Sequence, residues 1–395
     1  MKTFDRIVVV GASLAGVRAA EALRRESFSG TLTIIGDEEA MPYDRPPLSK
    51  EVLRGECSDD DTALTIDTDL DACWSLGDAV ASIDSVEKNV TTLGGRTIPY
   101  DGLVIATGSG SRTLPAFGAS SDTVHHIRSR ASARRLADAL TPSTRLLIIG
   151  CGFIGIEIAS SARAVGARVT VCGMDAPLAP AGPLASARVR ALSDHAGIET
   201  HVGHTVSAAE HVDGVHHVEL SDGTRIEADH VVVAVGARPN VGWLDGAGAD
   251  ISDGVLCDST LHVLGMNDVV AAGDIVRWPN AAFGGMTMRV EHWSNAVEQA
   301  GAAATALLAG STAEPFGSIP SFWSDHFGTR LSSVGLPRLA NRFDVVAGSP
   351  DDDFCARAYV DDTLVGGIAY GLTRPLAAVR AALDRTVVDI PMAVV

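Results

Sequence analysis

Apolar residues along this chain gather in short continuous runs that end in glycine and lead into stretches of helical spacing. That is the pattern of buried parallel strands joined by crossover helices. Residues 7–10 form one such run, Gly11 and Gly16 follow it, and 14–25 carry apolar positions at helical spacing. Residues 31–35 predict the return strand. The order then recurs: 146–149, glycines at Gly150, Gly152 and Gly155, a helix over 153–165 and a strand over 168–172. Two such units predict an α/β protein with two doubly wound, Rossmann-like dinucleotide-binding domains. Strands are also predicted over 79–83, 88–93 and 103–106, and a meander over 215–220 and 226–235 turns at Asp213-Gly214 and Ser221-Asp222-Gly223. From about residue 316 onward, 357–360 and 364–370 predict a small sheet covered by a helix over 375–383, which makes a small α+β C-terminal domain.

In a dinucleotide unit the first glycine makes a tight turn, the second admits the pyrophosphate and the third lets the helix pack on the strand. The amides at the helix N-terminus then hold the phosphates. In the first unit Ser13 stands in the second glycine's place, so a hydroxyl must tolerate the close approach or bond the phosphate itself. Asp37, about 20 residues past the motif, is an acid suited to a ribose diol. Alone, this fingerprint also fits an ordinary strand-turn-helix junction. The second, Gly150-x-Gly152-x-x-Gly155, is intact, and the simplest chemistry that needs both is hydride transfer from a nicotinamide to a flavin. After Asp37 comes a loop, Tyr43 to Lys50, whose Pro46-Pro47 pair predicts stiff, extended backbone that can hold Arg45 and Lys50 close to a ligand. A solvated surface loop is the alternative, more for Arg45 than for Lys50.

That loop, PYDRPPLSK, resembles the corresponding loop of the FAD-dependent NAD(P)H:ferredoxin reductases of bacterial oxygenase systems, a branch of the glutathione-reductase-like flavoproteins. Further motifs follow in the family's order over nearly the whole chain. The resemblance implies that Gly11, Ser13, Gly16, Asp37, Arg45 and Lys50 hold FAD, with the lysine near the flavin ring. Thr107 and Gly108 would lie against the same cofactor, or form a mere strand-end turn. The stretch GFIGIE, 152–157, resembles the nicotinamide domain of these reductases, where the glutamate faces the flavin and pairs with the loop lysine. Lys50 and Glu157 are thus the candidate catalytic pair; otherwise Glu157 is an exposed acid in the first helical turn, where a carboxylate is favoured anyway. The stretch VVAAGD, 269–274, resembles the second FAD signature and gives Asp274 the ribityl hydroxyls, with a helix cap as the alternative.

The motifs Glu291-His292-Trp293 and Phe322-Trp323-Ser324-Asp325 resemble elements that line the isoalloxazine pocket. Core aromatics for Trp293 and Trp323, and a satisfied histidine for His292, are the other readings. On the nicotinamide side the resemblance implies Gly150, Gly152, Gly155, Glu157, Gly173 and Gly236. It implies an FAD domain over 1–114 and 236–316, an NAD(P)H domain over 115–235 and a C-terminal domain over 317–395 that forms part of the flavin pocket and acceptor face. Gly173 stands where the family usually carries a glutamate that selects NADH, so NADH is expected as donor with NADPH tolerated.

Charge and cysteines narrow the partners. A net charge of −18 argues against nucleic acid or an anionic membrane. No apolar span approaches the ~20 residues needed to cross a bilayer, and a soluble cytoplasmic protein is expected. The six cysteines are scattered, without a C-x-x-C or a metal-ligand cluster, so no metal is expected. With no redox cysteine in the loop after Asp37, a one-electron carrier fits better than a disulfide. The resemblance therefore implies an iron-sulfur ferredoxin of the two-iron type, feeding a cytochrome P450 or Rieske-type oxygenase. Between His326 and Phe343 the chain carries Arg330, Arg338 and Arg342 and no acid, a candidate landing site for an acidic ferredoxin or simply a solvated hairpin. Alternatives are an NADH oxidase or quinone reductase, and a redox-dependent interaction module resembling apoptosis-inducing flavoproteins.

Overall fold

The computed structural model describes residues 3–118, 121–385 and 388. Two parallel sheets of five strands each dominate it. In one, Arg6–Val10 lies at the centre between Thr31–Ile35 and Gly102–Ile105, with Cys73–Ser75 and Val269–Ala271 outside them. Ile7, Val8, Val9 and Val10 are all buried, as a continuous β-branched run covered on both faces requires. The helix Leu14–Arg25 packs there on a second long helix, Trp293–Ala309. In the other sheet Arg145–Ile149 is central, between Arg168–Gly173 and His230–Val233, with Glu199–Val202 and Val124–His125 at the edges.

A third sheet of five strands is antiparallel, running from Ser321–His326 at one edge to Arg342–Gly348 at the other, and the helix Leu376–Leu383 packs on it. The chain passes between the parallel sheets twice. The two crossings pair with each other, Ser109–Ser111 antiparallel to Ala237–Pro239. Beside them Thr107 Oγ1 donates to the Asn240 carbonyl and Asn240 Nδ2 to the Thr107 carbonyl, each at 2.9 Å.

Two expectations are corrected, one strand is added and two alternatives are excluded. Residues 226–235 are two strands: Arg225–Ala228 belongs to the meander, and His230–Val233 enters the parallel sheet. Asp229 makes the break, its carboxylate accepting from the Arg145 backbone N–H at 2.8 Å and from the guanidinium at 2.6 Å. The meander has a third strand, Val206–Val212, whose small and charged residues hid it from the hydrophobic pattern.

The proline loop is not extended. Pro46–Ser49 is a turn of 3₁₀ helix, which the φ fixed by proline fits equally well. Glu157 does not stand in the first helical turn, because the helix begins at Phe153; one turn further in, the side chain faces inward and is buried. Asp274 cannot cap a helix, since the chain continues into the strand Val276–Asn280.

Candidate active site

The carboxyl ends of the first parallel sheet open into a cleft of about 950 Å³, the size of a cofactor site. Gly11, Ser13, Asp37, Arg45, Lys50, Thr107, Gly108, Asp274, His292, Trp293 and Trp323 all line it. Gly11 has φ +118°, and a Cβ there would meet the Ala106 carbonyl oxygen at 2.1 Å, so the turn admits only glycine. Gly16, behind it, holds the helix against this turn, as a Cβ would strike the Gly11 carbonyl oxygen. Ser13 is the helix N-cap but makes no capping bond; its hydroxyl meets Arg45 Nη1 instead. The first amides of the helix thus face the cleft unpartnered by a side chain, with a guanidinium beside them.

Two neighbours complete that end, and the motifs did not reveal them. Glu38 receives Arg45 Nη2 at 2.7 Å and the Tyr43 hydroxyl at 2.5 Å. Arg128, brought in from the other end of the chain's first crossing, puts Nη2 3.4 Å from Asp274 Oδ2, and its backbone carbonyl accepts from Arg45 Nε. Burial raises the Asp274 carboxyl pKa against the pull of Arg128, and lowers that of Arg128, with Arg45 adding repulsion.

At the other end Lys50 Nζ lies 3.0 Å from Glu157 Oε2, each side chain 6% exposed. Lys50 comes from the proline turn, Glu157 from the helix of the second glycine turn. Lys50 also donates to the Pro46 carbonyl at 2.9 Å, and Ser161 Oγ donates to the Ser49 carbonyl at 2.8 Å, fastening turn to helix. Aromatic rings close this wall: Phe322 stands edge-on to Phe153 with centroids 4.7 Å apart, and Trp293 to Trp323 at 6.1 Å. Trp293 is partly exposed and donates its indole N–H to Asp44 Oδ1 at 2.9 Å, so it is no core aromatic. His292 is neutral, its pKa pushed down to about 4 by burial and then by Arg338, and its Nδ1 is buried without a partner.

The second glycine turn repeats the first. Gly150 also has φ +118°, and a Cβ would meet the Ala234 carbonyl oxygen at 2.1 Å. Gly152 caps its helix with no side-chain bond, and a Cβ on it would meet nothing within 4 Å, leaving the approach to the helix N-terminus open. Gly155 packs on the Gly150 carbonyl as Gly16 does on Gly11. Gly173 ends its strand against Cys151, whose Sγ a Cβ would meet at 2.8 Å. Gly236, at φ +103°, lies at the return crossing and not among the residues lining the cleft. Phe153, Ile154 and Glu157 carry this second unit to the edge of the same cleft.

The basic stretch is less bare than its sequence. Arg330 is held by both oxygens of Asp325, at 2.8 and 3.0 Å, and Arg342 lies 3.3 Å from Asp344 and from Asp362. All three acids lie outside the gap between His326 and Phe343: strand pairing sets Asp325 opposite Arg330, Asp344 is two residues along Arg342's own strand, and Asp362 comes from the turn after Phe354–Val360. Arg338 sits at the rim of the cleft. Among the described residues no cysteine lines the cleft, no His, Cys, Asp and Glu cluster is arranged to hold a metal, and no helix is long and apolar enough to cross a membrane.

Gly150, Gly152, Gly155 and Gly173 are not among the residues lining the cleft, which the second unit reaches through Phe153, Ile154 and Glu157 of its helix. Two glycine turns on two parallel sheets, the helix of the second meeting the cleft of the first at a buried ion pair, define an α/β oxidoreductase of the two-dinucleotide kind. The chain belongs to the pyridine nucleotide-disulphide oxidoreductase family, whose model matches residues 5–300, and a reductase C-terminal model matches 321–394. It is 35% identical over 351 residues to rhodocoxin reductase of Rhodococcus erythropolis, covering 87% of this chain and 81% of that one. It is 32% identical to the ferredoxin–NAD(+) reductase subunit of the benzene 1,2-dioxygenase system of Pseudomonas putida, covering 84% and 80%. Among solved structures, the covalent putidaredoxin reductase–putidaredoxin complex matches with a TM-score of 0.89 at 28% identity, covering 96% of this chain and 93% of that one.

Proposed function

We propose that this protein is an FAD-dependent NAD(P)H:ferredoxin reductase, working in the cytoplasm and supplying an iron-sulfur carrier of the two-iron type that feeds an oxygenase. The observation that carries the reading is the cleft itself: it joins the Gly11 turn to the Lys50–Glu157 pair, and among the described residues no cysteine lines it to relay electrons to a disulfide. The names of relatives, among them ferredoxin reductases of dioxygenase systems, support the same acceptor class.

The residues present fit FAD. The uncapped helix behind Ser13, with Arg45 and Arg128, suits a pyrophosphate, and the carboxylates of Asp37 and Asp274 suit ribose and ribityl hydroxyls. The flat walls of Trp293, Trp323 and Phe322 suit a flat ring system. The Gly150 turn with open Gly152 fits the nicotinamide dinucleotide. When bound, FAD accepts a hydride from the nicotinamide and releases electrons singly. In this scheme Lys50 presents a fixed positive charge to the ring, Glu157 holds that charge in place and the aromatic wall excludes water. Domains over 1–114 with 236–316, 115–235 and 317–395 are part of the reading; the three large sheets draw their strands from these stretches.

Denaturing the purified yellow protein should release FAD, and anaerobic NADH should bleach the bound flavin in equimolar amount. Release of FMN, or a flavin that NADH does not bleach, would overturn the reading.

A further inference from the structure

Glu157 is held by more donors than its partnership with Lys50 requires. Oε2 accepts from Ser49 Oγ at 2.5 Å as well as from Lys50 at 3.0 Å. Oε1 accepts from Ser324 Oγ, with the Asp325 backbone N–H at 3.4 Å. An ionised carboxylate can only accept, so the single proton of Ser324 points at Glu157. Ser324 Oγ also lies 2.8 Å from His326 Nε2. With its proton committed to Glu157, the hydroxyl must accept there, and Nε2 must carry a hydrogen. His326 Nδ1 is buried without a partner, as suits the bare nitrogen of a neutral ring and not an imidazolium with a stranded N–H. Burial, and then the charge on Lys50, push its pKa down to about 3, so the ring is neutral at pH 7. Stacking on Tyr370, with planes 13° apart, holds the ring in place.

We propose that His326 is a positioning residue: its Nε2–H tautomer aims the Ser324 hydroxyl at Glu157, and Glu157 thereby holds Lys50 at the cleft wall. In the other tautomer a bare Nε2 would attract the Ser324 proton and turn oxygen lone pairs towards Oε1, replacing attraction with repulsion. The carboxylate would shift, and the lysine with it. His326 acts from outside the cleft, through two intervening side chains, and the chain of bonds links the C-terminal sheet to the proline turn. The proposal rests on the reading of Lys50 and Glu157 as flanking the flavin.

Nitrogen-15 NMR of the histidine-labelled holoprotein at pH 7 reads the tautomer directly and is expected to show neutral His326 protonated at Nε2. An Nδ1–H ring or an imidazolium overturns the proposal, whatever the enzyme's activity. In stopped-flow reduction by NADH, His326→Leu should slow flavin bleaching about tenfold or more, within the roughly hundredfold that a misplacement of about an ångström can cost. The dissociation constant for NAD⁺ should stay within about twofold, because only the placement of Lys50 has changed. His326→Gln, whose side-chain amide can donate to Ser324, should recover most of the rate. A folded His326→Leu protein with full FAD content and the native rate overturns the proposal; should that variant not fold, the tautomer in the native protein decides. A native protein that holds no FAD would instead contradict the proposed function, and the tautomer assignment would stand by itself.

Discussion

Lys50 and Glu157 make the sharpest test at the level of single side chains. Removing one partner of a buried ion pair leaves an uncompensated charge and costs about 3–5 kcal/mol. Lys50→Met should therefore destabilise the fold and slow flavin reduction more than it weakens nicotinamide binding; stopped-flow kinetics with an NAD⁺ titration separate the two. Unchanged reduction would make Lys50 a merely structural lysine. Donor choice is also set by single residues. On the proposed reading Gly173 would stand at the adenosine ribose, where it leaves no carboxylate to hold the diol of NADH or repel the 2′-phosphate of NADPH, so NADH should be the better donor with NADPH well tolerated. The structure adds that Gly173→Glu by itself crowds Cys151, since a Cβ falls 2.8 Å from Sγ and 3.1 Å from the backbone nitrogen. Cys151→Gly with Gly173→Glu should widen the NADH-to-NADPH ratio of kcat/KM by about 1–3 kcal/mol, the range of a charged hydrogen bond, while the single variant mainly loses stability. Both residues were visible in the sequence; that they collide was not, because the contact joins the second glycine turn to a strand end about 20 residues on.

Among elements, the junction between the second parallel sheet and the meander carries a histidine cluster. His125 Nε2 lies 3.2 Å from His230 Nδ1, and His216 stacks on His211 with centroids 4.3 Å apart. Burial, followed by the neighbouring histidines, pushes His125 and His216 down to about 4. The unfolded chain, with histidine pKa about 6.5, binds more protons between that value and about 4. Stability should therefore fall as pH drops through this window. Urea midpoints at pH 7 and pH 5 check it, and His125→Phe should flatten the slope; an equal slope in both proteins would contradict the assignment. The basic strands of the C-terminal sheet give a second test. Because Asp325 already neutralises Arg330, the proposed docking face is less positive than the gap in acids implied. Native ferredoxin reduction should slow with added salt, and Arg330→Glu, which puts two carboxylates side by side, should slow it further while ferricyanide reduction stays native. A salt-independent native rate would point to an apolar docking face.

For the whole molecule, what the sequence disclosed was local. The glycine turns, the strand before each and the helix after it are written in consecutive residues, and the helix Leu14–Arg25 falls where its spacing put it. Arg128, Asn240 and His326 were missed as site residues because topology alone brings them in; Glu38, next to Asp37, was missed because its bonds to Arg45 and Tyr43 do not show in the spacing. Arg128 reaches the cleft only because the chain leaves the first sheet beside Asp274, and His326 reaches Glu157 only across the packed face between a helix and the C-terminal strand Ser321–His326. The proline turn was misjudged for the opposite reason: proline fixes φ but leaves ψ to the surroundings, so extended and 3₁₀ backbone look alike in sequence.

The central claim is that electrons leave this cleft singly to an iron-sulfur protein. Its most direct test is anaerobic turnover with excess NADH and a two-iron ferredoxin, followed by the loss of ferredoxin colour. The account predicts complete reduction of two ferredoxins per NADH, much faster than a quinone is reduced under the same conditions. Ferredoxin reduction no faster than that of the quinone, or turnover that proceeds only when oxygen is admitted, would contradict it.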